Sequence, residues 1–391
     1  MRNPATASSP AAPALIEARL GDQTLRVPAA AGEPVRPADR LLAGAVALEP
    51  AARVLLLGAG AGALAVALAR RAPQGMLLLM DAEATDLDLA EQTLRANGIG
   101  NATVSRDITL APERAGGFDV AVMVLPKGRK LARRWLLEAA AALRPGGILY
   151  LAGPNNEGIQ PVIGDAGALF GAVTPLGYRE RCRIARARKG DLPAPPDWAS
   201  EPGVAPGSWR HFSVRVRGTT LDVESLPGVF AYDRLDEGTR LLLEHLEVPP
   251  GARVLDIGCG YGLIGLWAAR AGAAQVDLTD ASLLAVASAQ RNLEAHGLRN
   301  AQVFTGDALA PVAGRSYDLI VTNPPFHEGR AVTSAAAHRF IAQARAALRP
   351  GGRFVLVANR FLPYDQVLRP LFGSVTRLAD DRRYHVWAAF E

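Results

Sequence analysis

Two short stretches of the chain hold residue types that could act together on a nitrogen-bearing ring. Asn323, Pro324, Pro325, Phe326 and His327 stand in a row directly after the apolar run ending at Thr322. Adjacent prolines remove backbone donors and fix φ, so they end a strand and leave the Pro324 carbonyl without a ladder partner. That carbonyl and the amide oxygen of Asn323 make two acceptors, suited to the two hydrogens of an exocyclic or amide NH2 group. Phe326 offers a face on which a planar base can stack. His327 is either a proton relay or a structural neighbour. Some sixty residues earlier, DIGCGYG (256–262) sets Gly258, Gly260 and Gly262 at alternate positions after a short apolar run. Glycines let the backbone turn sharply and approach a ligand where a Cβ would otherwise stand. The spacing is GxGxG, not the GxGxxG that seats a pyrophosphate on a helix. This favours S-adenosylmethionine over a dinucleotide, although a glycine turn alone can also bind nothing.

Three carboxylates accompany this turn. Asp256 lies inside the apolar run, where a charge is costly without a partner such as a ligand ammonium group. Asp280 ends the next apolar run and can accept from both hydroxyls of a ribose, or cap a helix. Asp307, in TGDAL, can accept from an adenine amino group or sit in a plain turn.

The elements that position these residues occur twice. PAARVLLLGAGAG (50–62) and PGARVLDIGCGYG (250–262) align glycine on glycine, two hundred positions apart. LRANGIGNATV (94–104) matches LEAHGLRNAQV (293–303), FDVAVMVLP (118–126) matches YDLIVTNPP (317–325), and ALRPGG recurs at 142–147 and 347–352. Blocks repeating in order signal a duplication. Each copy alternates short apolar strands with alanine-leucine helices, the pattern of parallel βαβ units in a doubly wound α/β sheet. The expectation is two tandem Rossmann-like domains: a tail over 1–13, a first domain over 14–200 and a second over 209–391. The Pro/Gly-rich stretch 190–209 lies between them, and 213–230 reads as a hairpin leading into the second.

Composition bounds the function class. At 391 residues, 49% hydrophobic, the chain can bury more than one core. No stretch approaches the roughly 18 apolar residues of a membrane span, and no secretion signal opens the chain. Cys182 and Cys259 are too few for a disulfide framework or a cysteine-based zinc site, so no metal is expected and the cytoplasm is the expected compartment. The net charge of +5 is permissive of nucleic acid without being diagnostic.

The order of glycine turn, acid-ended strand and fourth-strand NPPF resembles the class I S-adenosylmethionine-dependent methyltransferases that act on planar nitrogen. LPGVFAYDRLDEGTRLLLEHL (226–246), NPPFHEG (323–329) and VANRFLPYDQVLRPLFG (357–373) further resemble the ribosomal RNA guanine-N2 methyltransferases of the RsmC/RlmG type, more closely its small-subunit branch. The resemblance covers the whole chain in architecture and is strongest over 209–391. It implies methyl transfer from S-adenosylmethionine to guanine N2 in ribosomal RNA, 16S rRNA of the small subunit on this reading, by a tandem enzyme whose second domain alone is active. Asn323, Pro324 and Phe326 would be catalytic. Asp256, Gly258, Gly260, Gly262, Asp280, Asp307 and Asn323 would hold the cofactor. Alternatives are a large-subunit guanine-N2 enzyme, a DNA-base or protein-glutamine methyltransferase of the NPPF type, and a non-catalytic ribosome-assembly factor.

The first copy keeps its glycines and Asp81 but reads VLPK (124–127) where the second has NPPF, and Leu56 where the second has Asp256. It is expected to have lost catalysis and cofactor binding. Basic residues replace the lost motif: Lys127, Arg129, Lys130, Arg133 and Arg134, with a second run over 179–189. Such clusters can neutralise phosphates or form a solvated face; the expectation is an RNA-docking and supporting domain. A monomer is expected, because the duplication builds a dimer-like body from one chain.

Overall fold

The computed structural model describes residues 14–190, 194–324 and 334–391; Pro325, Phe326 and His327, and the tail 1–13, lie outside them. The apolar runs form buried strands because each is covered on both faces by helices, which explains their continuous rather than alternating hydrophobicity. The first unit runs β1 (Leu15–Leu20), β2 (Gln23–Pro28), α1 (Pro37–Ala45), β3 (Arg53–Leu57), α2 (Ala63–Arg71), β4 (Met76–Met80), α3 (Ala84–Ala96), β5 (Ala102–Val104), β6 (Phe118–Val124), α4 (Arg129–Ala142), β7 (Leu143–Pro154), α5 (Ile159–Phe170), β8 (Val173–Arg179) and β9 (Cys182–Arg188). The second repeats it: β10 (Arg210–Val216), β11 (Thr219–Ser225), α6 (Glu237–His245), β12 (Arg253–Ile257), α7 (Leu263–Arg270), β13 (Gln275–Asp280), α8 (Leu283–Ala295), β14 (Ala301–Thr305), β15 (Tyr317–Thr322), α9 (Ser334–Ala346), β16 (Leu348–Asn359), α10 (Tyr364–Leu368), β17 (Ser374–Asp380) and β18 (Tyr384–Phe390).

Each unit carries a seven-stranded Rossmann-like sheet, ordered β5-β4-β3-β6-β7-β9-β8 in the first and β14-β13-β12-β15-β16-β18-β17 in the second. The first five strands in each order are parallel, and the sixth, β9 or β18, runs antiparallel to both its neighbours. The sheets are therefore mixed rather than purely parallel. A two-stranded hairpin precedes each sheet: β10–β11 where the sequence suggests one, and β1–β2, which the sequence reading passed over. In both sheets the order reverses beside the central strand, β3 or β12, so a crevice opens at the carboxyl ends of the strands there.

The units meet through the turns that follow β4 and β13. Ala84 N donates to Ala281 O at 2.8 Å and Leu283 N to Ala82 O at 2.8 Å, so Glu83 and Ser282 pair as an antiparallel bridge. Leu283 and Leu284, at the start of α8, enter the cavity that Leu57, Met80, Asp81 and Trp135 line in the first unit. Leu284 is 3% exposed. Leu284→Ala should therefore cost about 2–5 kcal/mol, measured as a lower urea midpoint at unchanged slope. A new early transition would instead mean that the seam does not join the two units cooperatively.

Candidate active site

The site assembles at the carboxyl ends of β12, β13 and β15. β12 feeds the glycine turn, and Gly258, Gly260 and Gly262 all have positive φ, at 67°, 56° and 84°. A Cβ at Gly258 would meet nothing within 4 Å, and one at Gly260 only Val229 at 3.8 Å. Gly262 differs, since a Cβ there would strike Ala289 at 2.8 Å. Gly262 thus serves helix packing, while the other two keep ligand space open.

Asp280 closes one side of that space. Its Oδ2 accepts from Gly260 N and its Oδ1 from Ser282 N, each at 2.9 Å. Ser282, not Asp280, is the N-cap residue of α8, so the carboxylate braces the glycine turn. Burial raises its pKa against those hydrogen bonds. Asp307 is exposed on the turn after β14, which Gly306 N ties to Asp280 O at 2.9 Å. Asp256 is fully buried; Oδ2 accepts from Gly265 N at 2.9 Å while Oδ1 has no partner. Burial, with Asp280 adding like charge, pushes this carboxyl up to about 7. Glu83 of the first unit reaches the same corner and is also pushed up to about 7, by burial and then by Asp280.

Asn323 follows β15, and its orientation is set by two residues the sequence reading did not single out. Asp236 caps α6, accepting from Thr239 N at 2.8 Å, and also accepts from Asn323 Nδ2 at 3.1 Å. Thr239 Oγ1 accepts from the same nitrogen at 2.8 Å. A carboxylate has no proton to donate, so the amide nitrogen must face Asp236. Asn323 Oδ1 is then turned away, buried and without a partner among the described residues. The available signal was an Asp three residues before a Thr at the start of an amphipathic run, a helix-start pattern. Pro324 lies beside Asn323, half-buried.

The first unit builds the same frame and fills it. Gly60 N donates to Asp81 Oδ2 at 2.9 Å, matching Gly260 and Asp280. At the positions of Asp236 and Thr239 it has Arg36 and Asp39, which pair at 2.9 Å. The Arg36 guanidinium donates to Gly58 O at 2.8 Å, and a Cβ on Gly60 would lie 2.8 Å from its Cζ. Trp135 stands 3.2 Å from a Cβ placed on Gly58.

The basic cluster on α4 is largely committed within the fold. Arg129 and Arg133 both grip Asp165 through paired hydrogen bonds of 2.7–3.0 Å. Lys130 pairs with Glu201. Arg134 is 2% exposed and donates to Gly203 O at 2.8 Å and Thr109 Oγ1 at 2.6 Å. That corrects the expectation for Arg134: a buried guanidinium spent on internal acceptors is not a surface phosphate contact. Lys127 is exposed. Among the described residues, no group of side chains could hold a metal ion, and no helix is long and apolar enough to cross a membrane.

Known proteins resemble this chain in sequence and in fold. The sequence matches the family described as Methyltransferase small domain over residues 32–184 and 220–388. It is 41% identical over 284 residues to the ribosomal RNA small subunit methyltransferase C of Chromohalobacter salexigens, spanning 72% of this chain and 80% of the relative. It is 37% identical over 275 residues to the protein of that name from Stutzerimonas stutzeri, spanning 70% and 80%. The fold matches the T. thermophilus 16S rRNA N2 G1207 methyltransferase, solved with AdoMet and guanosine, at a TM-score of 0.79 and 32% identity, covering 97% of this chain and 98% of that one.

Two outcomes are expected. Asp236→Asn lets the Asn323 amide turn over, and loss of the charge-assisted bond should lower turnover about 10–100-fold while cofactor affinity holds; equal turnover would remove Asp236 from the site. Asp256 offers the second. A carboxyl with a raised pKa takes up a proton on folding, so its contribution to stability is full below its unfolded value and is lost as pH rises toward 7. A cationic ligand favours the ionised form, so cofactor affinity should climb as pH passes through about 7. Calorimetry from pH 6 to 8 should show that climb, flattened in Asp256→Asn.

Proposed function

The chain belongs to the methyltransferase small domain family, and on that premise we propose that it transfers a methyl group from S-adenosylmethionine to the exocyclic N2 of a guanine in 16S ribosomal RNA. The observation that carries this reading is the buried, unpartnered Oδ1 of Asn323, locked in orientation beside an open glycine turn.

The residues present fit the cofactor. The open space at Gly258 and Gly260 has room for it, Asp280 is assigned the ribose hydroxyls, and Asp256 Oδ1, without a partner among the described residues, is a buried acceptor that a cationic group would favour in its ionised form. Asp307 lies on the neighbouring turn, at hand for the adenine edge. When bound, S-adenosylmethionine supplies a methyl group on a sulfonium, already a strong leaving group. The protein's work is then positioning.

Guanine N2 is a weak nucleophile because its lone pair is delocalised into the ring. Asn323 Oδ1 accepts one N2–H bond, and this acceptor is strengthened because Asp236 and Thr239 draw on the opposite end of the amide. Positive charge developing on N2 as the new C–N bond forms is favoured by that acceptor. The Pro324 carbonyl is assigned the second N–H. Phe326 is assigned the stacking face for a guanine drawn out of its helix, as a base must be for chemistry on its ring substituents.

The two units divide the labour on this reading: residues 14–200 are a degenerate copy that supports the catalytic unit, 209–391. Arg36 and Trp135 occupy the space a cofactor would need. Of the basic residues at the degenerate motif, Lys127 remains assigned to RNA. Arg129, Lys130 and Arg133 act first as ties from α4 to α5 and to the segment around Glu201. The protein works as a monomer on its RNA substrate, in the cytoplasm.

The test uses labelled S-adenosylmethionine with small and large ribosomal subunits lacking the modification, followed by digestion to nucleosides. Label in N2-methylguanosine from the small subunit is expected. Asn323→Ala should lower the rate by about 10²–10³ with cofactor binding retained. Label confined to the large subunit, or to an adenine or cytosine derivative, would overturn the assignment.

A further inference from the structure

Phe361 is the most exposed large apolar side chain among the described residues, at 79%. It contributes almost nothing to a core, and a phenyl ring held in water is unfavourable. Its place in the fold supplies the reason for it. Phe361 stands in the turn that leaves β16 at Asn359, and β16 lies parallel to β15, the strand that delivers Asn323. Asn359 is in register with Tyr384. The Tyr384 ring abuts the first turn of α6, where a Cβ on Gly238 would lie 3.2 Å from its Cε1. That helix is the one whose cap, Asp236, holds Asn323. The Phe361 turn and Asn323 therefore share one rim, a single strand apart.

The Phe361 turn and the turn tied to it are mixed in charge, with an arginine left over among the described residues. Arg360 N donates to Arg383 O at 2.8 Å, joining the Phe361 turn to the turn between β17 and β18. Arg360, at 3.8 Å, and Arg377, at 2.9 Å, share Asp380, and Arg383 pairs with Glu237 at 2.7 Å. Asp381 is occupied by the backbone N–H groups of Arg383 and Tyr384. Arg382 is exposed and makes no ion pair among the described residues. An aromatic face with arginine beside it is what an unstacked nucleotide needs: a platform for the base and a cation for its phosphate.

We propose that Phe361 is a substrate-binding residue: it stacks the base of the nucleotide next to the target guanine, with Arg382 facing the adjoining phosphate. The inference rests on the RNA reading above and adds a specific contact to it. Chain continuity carries the argument. A guanine presented to Asn323 brings its covalently linked neighbours over this rim. Drawing it from its stack also bares the face of the neighbouring base, which Phe361 then covers.

Two measurements on the full-length protein test this. With unmodified 16S rRNA as substrate, Phe361→Ala should raise KM about tenfold, leaving kcat and S-adenosylmethionine affinity unchanged, and Phe361→Trp should restore it. Separately, single-stranded RNA oligonucleotides carrying 5-iodouridine on either side of a guanine are irradiated with the protein. A cross-link mapping to Phe361 from one of the two positions is expected, and its loss in Phe361→Ala. This second readout needs no methyl transfer, so it stands even if the wild-type protein forms no N2-methylguanosine. Wild-type KM in Phe361→Ala, or no cross-link at Phe361 from either position, overturns the proposal. A KM defect seen on assembled subunits but not on naked RNA also overturns it, since the contact would then be to a ribosomal protein.

Discussion

A carboxylate can accept hydrogen bonds and cannot give them, and the site depends on that asymmetry at Asp236. One oxygen of its side chain takes the Thr239 N–H at the start of α6 and the amide of Asn323. The first of these bonds satisfies a helix end that would otherwise leave a donor bare. The second decides which way Asn323 faces. With its nitrogen committed to Asp236 and Thr239, its oxygen is turned the other way, where no group among the described residues meets it. A buried acceptor without a partner is a standing cost of about 1–3 kcal/mol. On the function proposed above, substrate binding would relieve it.

The duplication makes this legible by contrast. Both units keep the same brace, a strand-end aspartate accepting from the middle glycine of the turn. They part at the residue that starts the helix before the first sheet strand. In the second unit that residue is Asp236, which holds Asn323; in the first it is Arg36, which lays its guanidinium on the glycine turn. Other groups pack into the same corner. Trp135 comes from within the unit, and Leu283 and Leu284 come from the start of α8 in the second unit. The same turn carries Ser282 and follows Asp280, so the first unit grips the segment that braces the glycine turn of the second.

Charge follows a similar logic. The arginines of α4 look like a phosphate-binding row when written out, yet Asp165 and Glu201 lie where the folded chain brings them, and a near carboxylate outcompetes a distant phosphate. Arg134 goes further and is sealed inside, bonded to a carbonyl and a hydroxyl. The basic character of the chain is in part the counterweight to its own carboxylates.

The sequence alone determined what depends on near neighbours along the chain. Apolar runs and their glycine turns specify the strands and the crevice mouth, the offset of two hundred residues declares the duplication, and the row from Asn323 to Phe326 carries the family resemblance. These signals survive because backbone propensity and burial act within a few residues. Tertiary structure decided which polar atom meets which. Asp236 is 87 residues from Asn323, and Asp165 is 36 from Arg129. Such pairs exist only because the sheet order sets particular strands side by side. A hydrogen bond depends on distances of tenths of an ångström, and composition carries no such information. The orientation of Asn323, the closing of the first pocket and the internal use of the α4 arginines all belong to that second class.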